Sequence, residues 1–420
     1  MASVETTISI TIPEEGMTLE DLEAAVAQAV VQAGQELLVA GCAAMEARVL
    51  RQAGKRWYPN KRRPLDLLTR FGWVPLERWH MQERSTGRYG YPLDHILELT
   101  PRQHASPWVV AQAVALATRV PYRQATALLT GWLEAPVDHR TVYAWVQRAG
   151  KEVVAEEDAQ HEAVFGHGEV PPCGEGVREL VVAEVDGTFV KAQREGTPAF
   201  EVRMGLLYTG RRLQSATARY PRYRLQERLR YGGVEPAEVF GERLFLAGEA
   251  ALALSRAQHL LVVGDGAEWI EALAGHERWK ATYQLDWWHL THAFHRTFPD
   301  RPELVAQLKA ALYQGHGEEV VRLVALARAM GDGDRDRVAQ LQGYVMANQH
   351  GFYGAWRLRE QLSLPARLVA VVGSGAIEKQ QDLAVGRRFK GHGMRWTRRG
   401  ANRLLKLRLR ELDPPPRRSW

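Results

Sequence analysis

Three acids in this 420-residue chain stand where short segments end or begin. Asp186 closes the run Arg178-Glu-Leu-Val-Val-Ala-Glu-Val and is followed by Gly187. Asp265 ends His259-Leu-Leu-Val-Val-Gly and is flanked by glycines. Glu378 follows Gly373-Ser-Gly and opens a helical stretch. Singly, an acid in such a place is a turn former or a cap. Brought together, three carboxylates would repel one another and raise their pKa values unless cations lay among them. Mg²⁺ or Mn²⁺ is hard and takes carboxylate and phosphate oxygens. Two such ions about 3.5–4 Å apart can activate an attacking oxygen and stabilise a leaving one in an in-line displacement. The chemistry to expect is two-metal phosphoryl transfer, with Mg²⁺ or Mn²⁺ on Asp186, Asp265 and Glu378.

The elements around these acids must bring them together. Strands are expected over Arg178 to Gly187 and Phe200 to Tyr208, with a weaker one near Arg228 to Tyr231. Helical spacing follows over Pro236 to Ala257, then a buried strand from His259 to Gly264. A short helix over Trp269 to Ala274 leads to a strand at Lys280 to Leu285, and helix from His289 to about Leu362. Glu378 to Lys390 and Asn402 to Leu412 also read as helix. Three hairpin-like strands, then helix, strand, helix, strand and helices is a ribonuclease-H-like order of the α/β class. In that fold the central strands carry distant acids to one edge.

The N-terminal part is mainly helical. Thr18-Leu-Glu-Asp can cap a long amphipathic helix, or a helix pair, reaching about Gly54. Arg62 to Trp79 alternates around Gly72 and reads as a hairpin whose prolines belong at a sheet edge. Pro107 to Thr118, Tyr122 to Trp132 and Asp138 to Lys151 form three helical pieces, the last with Val142, Trp145 and Val146 on its apolar stripe. A short helix, a tight break and a polar-headed helix is a helix-turn-helix pattern, with Arg140, Thr141 and Arg148 offered to the major groove. A plain three-helix packing unit would look the same. Glu156 to Glu175 is polar, with glycine and two prolines, and reads as a linker.

Charge is concentrated near the C-terminal end. From Arg387 to Arg410 the chain has ten basic residues and no acid, against a net charge of +6 for the whole. Arg387, Arg388, Lys390, Arg395, Arg398 and Arg399, with Trp396 to stack on a base, are the expected contacts to a polyanion. A solvated cationic helix would carry the same charge. Cys42 and Cys173 are too few for a zinc ribbon or a disulfide framework. No run nears the roughly 18 apolar residues of a membrane helix, and the acidic start lacks a secretory n-region. The chain reads as cytosolic and free of membrane.

Four stretches then carry a family resemblance. Asp265-Gly-Ala-Glu-Trp-Ile, Leu285-Asp-Trp-Trp-His-Leu, Gly373-Ser-Gly-Ala-Ile-Glu and Arg388-Phe-Lys-Gly-His-Gly-Met-Arg-Trp resemble, in this order, motifs of bacterial insertion-sequence DDE transposases of the ISKra and ISLre groups. The resemblance is most specific from Asp265 to Leu409 and looser over Asp186-Gly-Thr and the N-terminal half. It implies that Asp186, Asp265 and Glu378 are the catalytic, metal-holding triad. It implies an all-α insertion interrupting the core between Asp265 and Glu378. Asp286 and His289, spaced Asp-x-x-His, match a further motif, which implies a supporting role; a capping pair at a helix start is the plainer reading. Double-stranded DNA as partner, and a homo-oligomer when two element ends are paired, follow from the same resemblance. Relatives often carry a cysteine-based metal knuckle after the hairpin; here Glu83-Arg-Ser-Thr-Gly-Arg-Tyr-Gly-Tyr offers no thiol. The expected organisation is therefore 1–100 helical and hairpin region, 101–155 helix-turn-helix, 176–289 core, 290–366 insertion and 367–420 final core helix with basic tail.

Three other motifs fail on their own chemistry. Gly373-Ser-Gly-Ala-Ile-Glu opens like a dinucleotide fingerprint, but Glu378 replaces its last glycine and Arg398 and Arg399 stand where an acid should take the ribose. No nucleotide cofactor is expected. Asp332-Gly-Asp-Arg-Asp-Arg starts like a calcium loop, yet Arg337 and Gly343 occupy its sixth and twelfth positions. Ser374 lacks the elbow of a serine hydrolase.

Overall fold

The computed structural model describes residues 3–12, 16–53, 56–101, 103–215, 222–353, 375–391 and 393–413. It divides into two compact units, Met1–Arg148 and Ala149–Trp420, and the division falls within one helix.

In the first unit, α1 (Leu19–Ala53) is a single helix. The Thr18 N–H donates to Asp21 Oδ2 at 3.0 Å and the Asp21 N–H donates to Thr18 Oγ1 at 3.2 Å, a reciprocal cap. Strands β1 (Trp57–Thr69) and β2 (Gly72–Glu83) pair antiparallel from Thr69↔Gly72 to Trp57↔Glu83. The turn needs Gly72, at φ 79°. Pro59 and Pro64 lie on the edge strand β1, and Pro75 lies where β2 has no second neighbour, because β3 (Tyr89–Gly90) meets only Met81 and Gln82. After α2 (Pro92–Ile96) come α3 (Pro107–Arg119), α4 (Tyr122–Leu133) and α5 (His139–His161). Val109, Ala113, Leu129, Val142 and Val146 are fully buried among them.

The second unit begins on α5, which corrects the linker expected from Glu156. Helix continues to His161 and then, as a wider π turn, to Gly166. Buried Val153 and Val164 hold it, with His161 Nε2 against Glu242 Oε2 at 2.6 Å. The polarity of this stretch belongs to its outer face.

A mixed five-stranded sheet forms the body of this unit. Strands β4 (Leu180–Lys191), β5 (Ala199–Tyr208) and β8 (Leu229–Gly233) are antiparallel neighbours. On the other side of β4 lie β9 (His259–Gly264) and β10 (Thr282–Leu285), both parallel to it, giving the order β10-β9-β4-β5-β8. A second hairpin, β6 (Gly210–Ser215) with β7 (Arg222–Gln226), was not legible in the sequence, since β6 is mostly exposed and polar. One face of β4 points Val181, Ala183 and Val185 into a core with α6 (Ala237–Leu252) and α7 (Glu268–Gly275). Alternation puts Glu184 and Asp186 on the other face.

After β10 come α8 (Trp287–Thr297), α9 (Pro302–Tyr313), α10 (Gly317–Met330) and α11 (Arg335–Asn348). They share a core of Leu290, Phe294, Leu308, Leu312, Val324 and Val345. The end of the helical block expected to Leu362, and Gly373 and Ser374, lie outside the described residues. Helix α12 (Gly375–Gln381) runs on through a π turn to Phe389, and α13 (Arg398–Leu412) closes the fold. No helix among the described residues is long and apolar enough to cross a membrane.

Candidate active site

Asp186 lies on the central strand, opposite Met204 of β5, and is 8% exposed. Its Oδ1 accepts the Gly187 N–H at 2.7 Å. Parallel pairing of Glu184 with Val263 carries Asp265, just past the end of β9, level with Asp186 one strand over. Asp265 Oδ1 accepts the Ala267 N–H at 3.1 Å, which closes the turn. That turn needs glycine at 266: φ is 96°, and a Cβ there would stand 2.6 Å from Asn348 Oδ1. Glu378 arrives from the first turn of α12, which packs on β4 and β5, and its side chain is 38% exposed.

The Asp286–His289 pair joins this group. Asp286 is fully buried and caps α8, accepting the Trp288 N–H at 2.9 Å. Its Oδ2 lies 2.5 Å from His289 Nδ1, and His289 Nε2 lies 3.4 Å from Glu378 Oε1. Both Asp-x-x-His readings are thus visible at once: Asp286 is a cap, and it also aims the imidazole at Glu378.

These charges feel one another. Burial pushes the Asp186 carboxyl up, and Asp265 and Glu378 push it further, to about 6, against the pull of His289. Burial alone would depress the His289 imidazole, but the Asp286 hydrogen bond and the charges of Asp286, Asp186 and Asp265 outweigh it and hold it above its ordinary value. Among the described residues, no three His, Cys, Asp or Glu side chains stand close enough to hold a metal ion as they are. The donor set still suits hard cations in kind: three carboxylates on one edge, one kept partly protonated by its neighbours. A cavity of about 690 Å³ opens beside them, lined by Asp265, His289, Arg296, Arg337, Gln340 and Tyr344 among others. Tyr344 donates its hydroxyl to the Asp265 carbonyl at 2.7 Å.

Glu184 was not singled out from the sequence, although its place two residues before Asp186 on an apolar strand was a signal. It is fully buried. Its Oε1 accepts from Tyr208 OH at 2.6 Å and Arg211 Nη2 at 2.9 Å, and its Oε2 accepts the Ile377 N–H at 2.8 Å. Burial raises its pKa, and those donors oppose the rise.

The residues expected to meet a polyanion separate into two groups. Arg140, Thr141 and Arg148 are exposed in the first unit, as are Arg387, Lys390, Arg395, Arg398 and Arg399 in the second. Arg388 and Trp396 are instead inside the fold. Arg388 is 1% exposed, and its guanidinium lies 5.1 Å from the centre of the Trp396 ring. Trp396 packs on Phe389 and donates its indole N–H to the Phe389 carbonyl at 3.0 Å. An apolar ring and a long aliphatic stem fill a gap beneath α12, which the count of basic residues could not register.

The family model described as "Uncharacterised protein family (UPF0236)" matches residues 12–419. The chain belongs to this family. A UPF0236 relative, the "UPF0236 protein in vanSb 3'region" of Streptococcus gallolyticus, is 28% identical over 141 residues. That match takes in 33% of this chain and 28% of the relative, so the chain spans well under two thirds of that protein. Among solved structures, "Drosophila P element transposase strand transfer complex" covers 71% of this UPF0236 chain and 90% of its own, at 11% identity and a TM-score of 0.34. That is too low a likeness to assign the fold.

Proposed function

We propose that this UPF0236 chain is a DDE transposase, with a ribonuclease-H-like core that cuts element-end DNA and joins it to a target. The observation that carries the reading is the meeting of three acids from remote segments. Asp186 comes from the central strand, Asp265 from the end of its parallel neighbour and Glu378 from a helix laid over both antiparallel strands. The strand order β10-β9-β4-β5-β8, with three antiparallel strands followed by two parallel ones, supports the same reading.

Asp186, Asp265 and Glu378 would hold two Mg²⁺ or Mn²⁺ ions, which when bound polarise the scissile phosphate and its attacking and leaving oxygens. Asp186 would give up its proton as the acids gather. Asp286 fixes the ring of His289, and His289, charged, would balance the carboxylates until substrate arrives. Arg296 and Arg337 in the adjoining cavity would take the phosphate next to the scissile one. In the first unit Arg140, Thr141 and Arg148 would read the element end as a helix-turn-helix. Pairing of two ends would require at least two copies of the chain.

The test is a strand-transfer assay on labelled element-end DNA with Mg²⁺, Mn²⁺ or EDTA, using wild type and Glu378→Gln. Metal-dependent cleavage and joined products, absent in the variant, are expected. Tight DNA binding without cleavage under any metal would point to a DNA-binding protein that has lost its chemistry, and cleavage without joining to a nuclease.

A further inference from the structure

Strand β4 carries a second acid that the reaction does not use. Glu184 lies on the same face as Asp186 and has no solvent exposure. A buried carboxylate is costly unless its oxygens are satisfied, and loss of a partner there costs far more than at the surface. Three donors surround Glu184, and they come from three places: Tyr208 on β5, Arg211 on β6, and the backbone N–H of Ile377 in the first turn of α12. The first four N–H groups of a helix have no partner within it. Glu184 satisfies one of them across 193 positions of sequence, at the residue next to Glu378.

Geometry makes this bond directional. Tyr208 OH and Arg211 Nη2 both take Oε1, and they contact each other at 3.1 Å, so the carboxylate cannot turn without breaking that pair. Oε2 is thereby left facing α12. Ile377 is itself fully buried, which fixes the second anchor of the turn. Between the Ile377 N–H and the Glu378 side chain there is one peptide unit, whose plane is rigid.

We propose that Glu184 is the positioning residue for Glu378: clamped by Tyr208 and Arg211, it holds the first turn of α12 so that Glu378 meets Asp186 and Asp265. The proposal rests on the reading of Glu378 as the third acid. It predicts that the site tolerates poorly any residue at 184 that cannot accept from an N–H, even one of equal size. In Glu184→Gln the side-chain NH₂ must face either Ile377 N–H or the Tyr208–Arg211 pair, and one of those contacts is lost.

Three measurements on the full chain test it, with wild type, Glu184→Gln and the milder Tyr208→Phe. Amide hydrogen exchange over residues 375–381 reads the tether without any metal or DNA. Mn²⁺ binding, followed by the loss of its free-ion resonance signal, reads the acids. Thermal melting reads the fold. The expected result is faster exchange confined to 375–381, Mn²⁺ binding weakened about tenfold in Glu184→Gln and less in Tyr208→Phe, and Tm little changed. Unchanged exchange in both variants would overturn the tether. Faster exchange with wild-type Mn²⁺ affinity would overturn the positioning role, as would a fall in affinity matched by a general loss of Tm. If wild type, Asp186→Asn and Glu378→Gln all bind Mn²⁺ alike, the reading of the triad fails first, and the tether stands only as a fold contact.

Discussion

His289 Nε2 stands 3.4 Å from Glu378 Oε1 while its other ring nitrogen is held by Asp286. The imidazole therefore links the N-terminal end of α8 to α12, two elements separated by the whole helical block. Asp286 fixes which nitrogen faces Glu378, as second partners of site histidines commonly do. His289→Ala should lower the rate of metal-dependent cleavage by roughly 10–100-fold with little change in DNA affinity. Asp286→Asn should lower it less, because the amide still accepts the Trp288 N–H at the cap. Equal rates in His289→Ala and wild type would reduce the pair to a helix cap.

Asp186 makes the metal-free protein sensitive to pH. Its folded pKa of about 6 lies above the usual aspartate value of about 3.9, so the folded state binds the proton more tightly. Stability from this group is complete below pH 4 and is lost as pH rises through about 6. The raised His289 pKa works in the same direction, because its contribution is present at low pH and fades as the ring loses its proton. In EDTA, Asp186→Asn should gain Tm relative to wild type between pH 4 and 7. Mg²⁺ should shrink that gap by taking the place of the proton. A difference in Tm that is constant across this range would mean Asp186 is not crowded by Asp265 and Glu378.

The strands and helices that carry the acids were legible because each is an apolar run of the right period, bounded by glycine or a polar cap. Asp186 and Asp265 stood out by ending such runs. Glu184 did not, because a charge inside an apolar strand has no meaning until its partners are known. Tyr208, Arg211 and Ile377 are distant in sequence and meet it only in the folded sheet. The β6–β7 hairpin was missed for the opposite reason: its strands pair with each other outside the main sheet, and burial left no alternation to read. Composition misjudged the basic tail, since a count of cations does not distinguish a guanidinium facing water from one stacked under Trp396.

Lys406 is the plainest case of such a cation. It is 2% exposed, and its Nζ lies 2.6 Å from Tyr231 OH, 2.8 Å from Glu157 Oε2 and 3.2 Å from Glu235 Oε1. The ammonium also sits 3.8 Å from the centre of the Tyr231 ring. It ties α13 to α5 and to the residues after β8. Lys406→Ala would leave Glu235 buried without its cation, at a cost of about 3–5 kcal/mol. Urea unfolding should show this as a lower midpoint, while Arg410→Ala, on the surface beside Glu156, should change stability by under about 1 kcal/mol. Similar midpoints for the two variants would place Lys406 in solvent.

The cations that remain exposed define the DNA prediction. Arg387, Lys390, Arg395, Arg398, Arg399 and Arg410 face outward, while Arg388, Lys406 and Arg408 are buried. Three of the exposed group already have acidic neighbours: Arg387 beside Asp382, Arg398 beside Glu195 and Arg410 beside Glu156. A phosphate would have to displace those carboxylates. Arg395 and Arg399 have no such pairing among the ion pairs of the described residues, so they are the cations readiest for a phosphate. Each phosphate contact contributes about −0.9 to the slope of log K against log salt. Arg395→Gln with Arg399→Gln should therefore make the slope for end DNA shallower by about 2, with unfolding unchanged and the loss of affinity alike for any sequence. An unchanged slope in the double variant would move the backbone contacts to the first unit, where Arg140 and Arg148 would have to carry them.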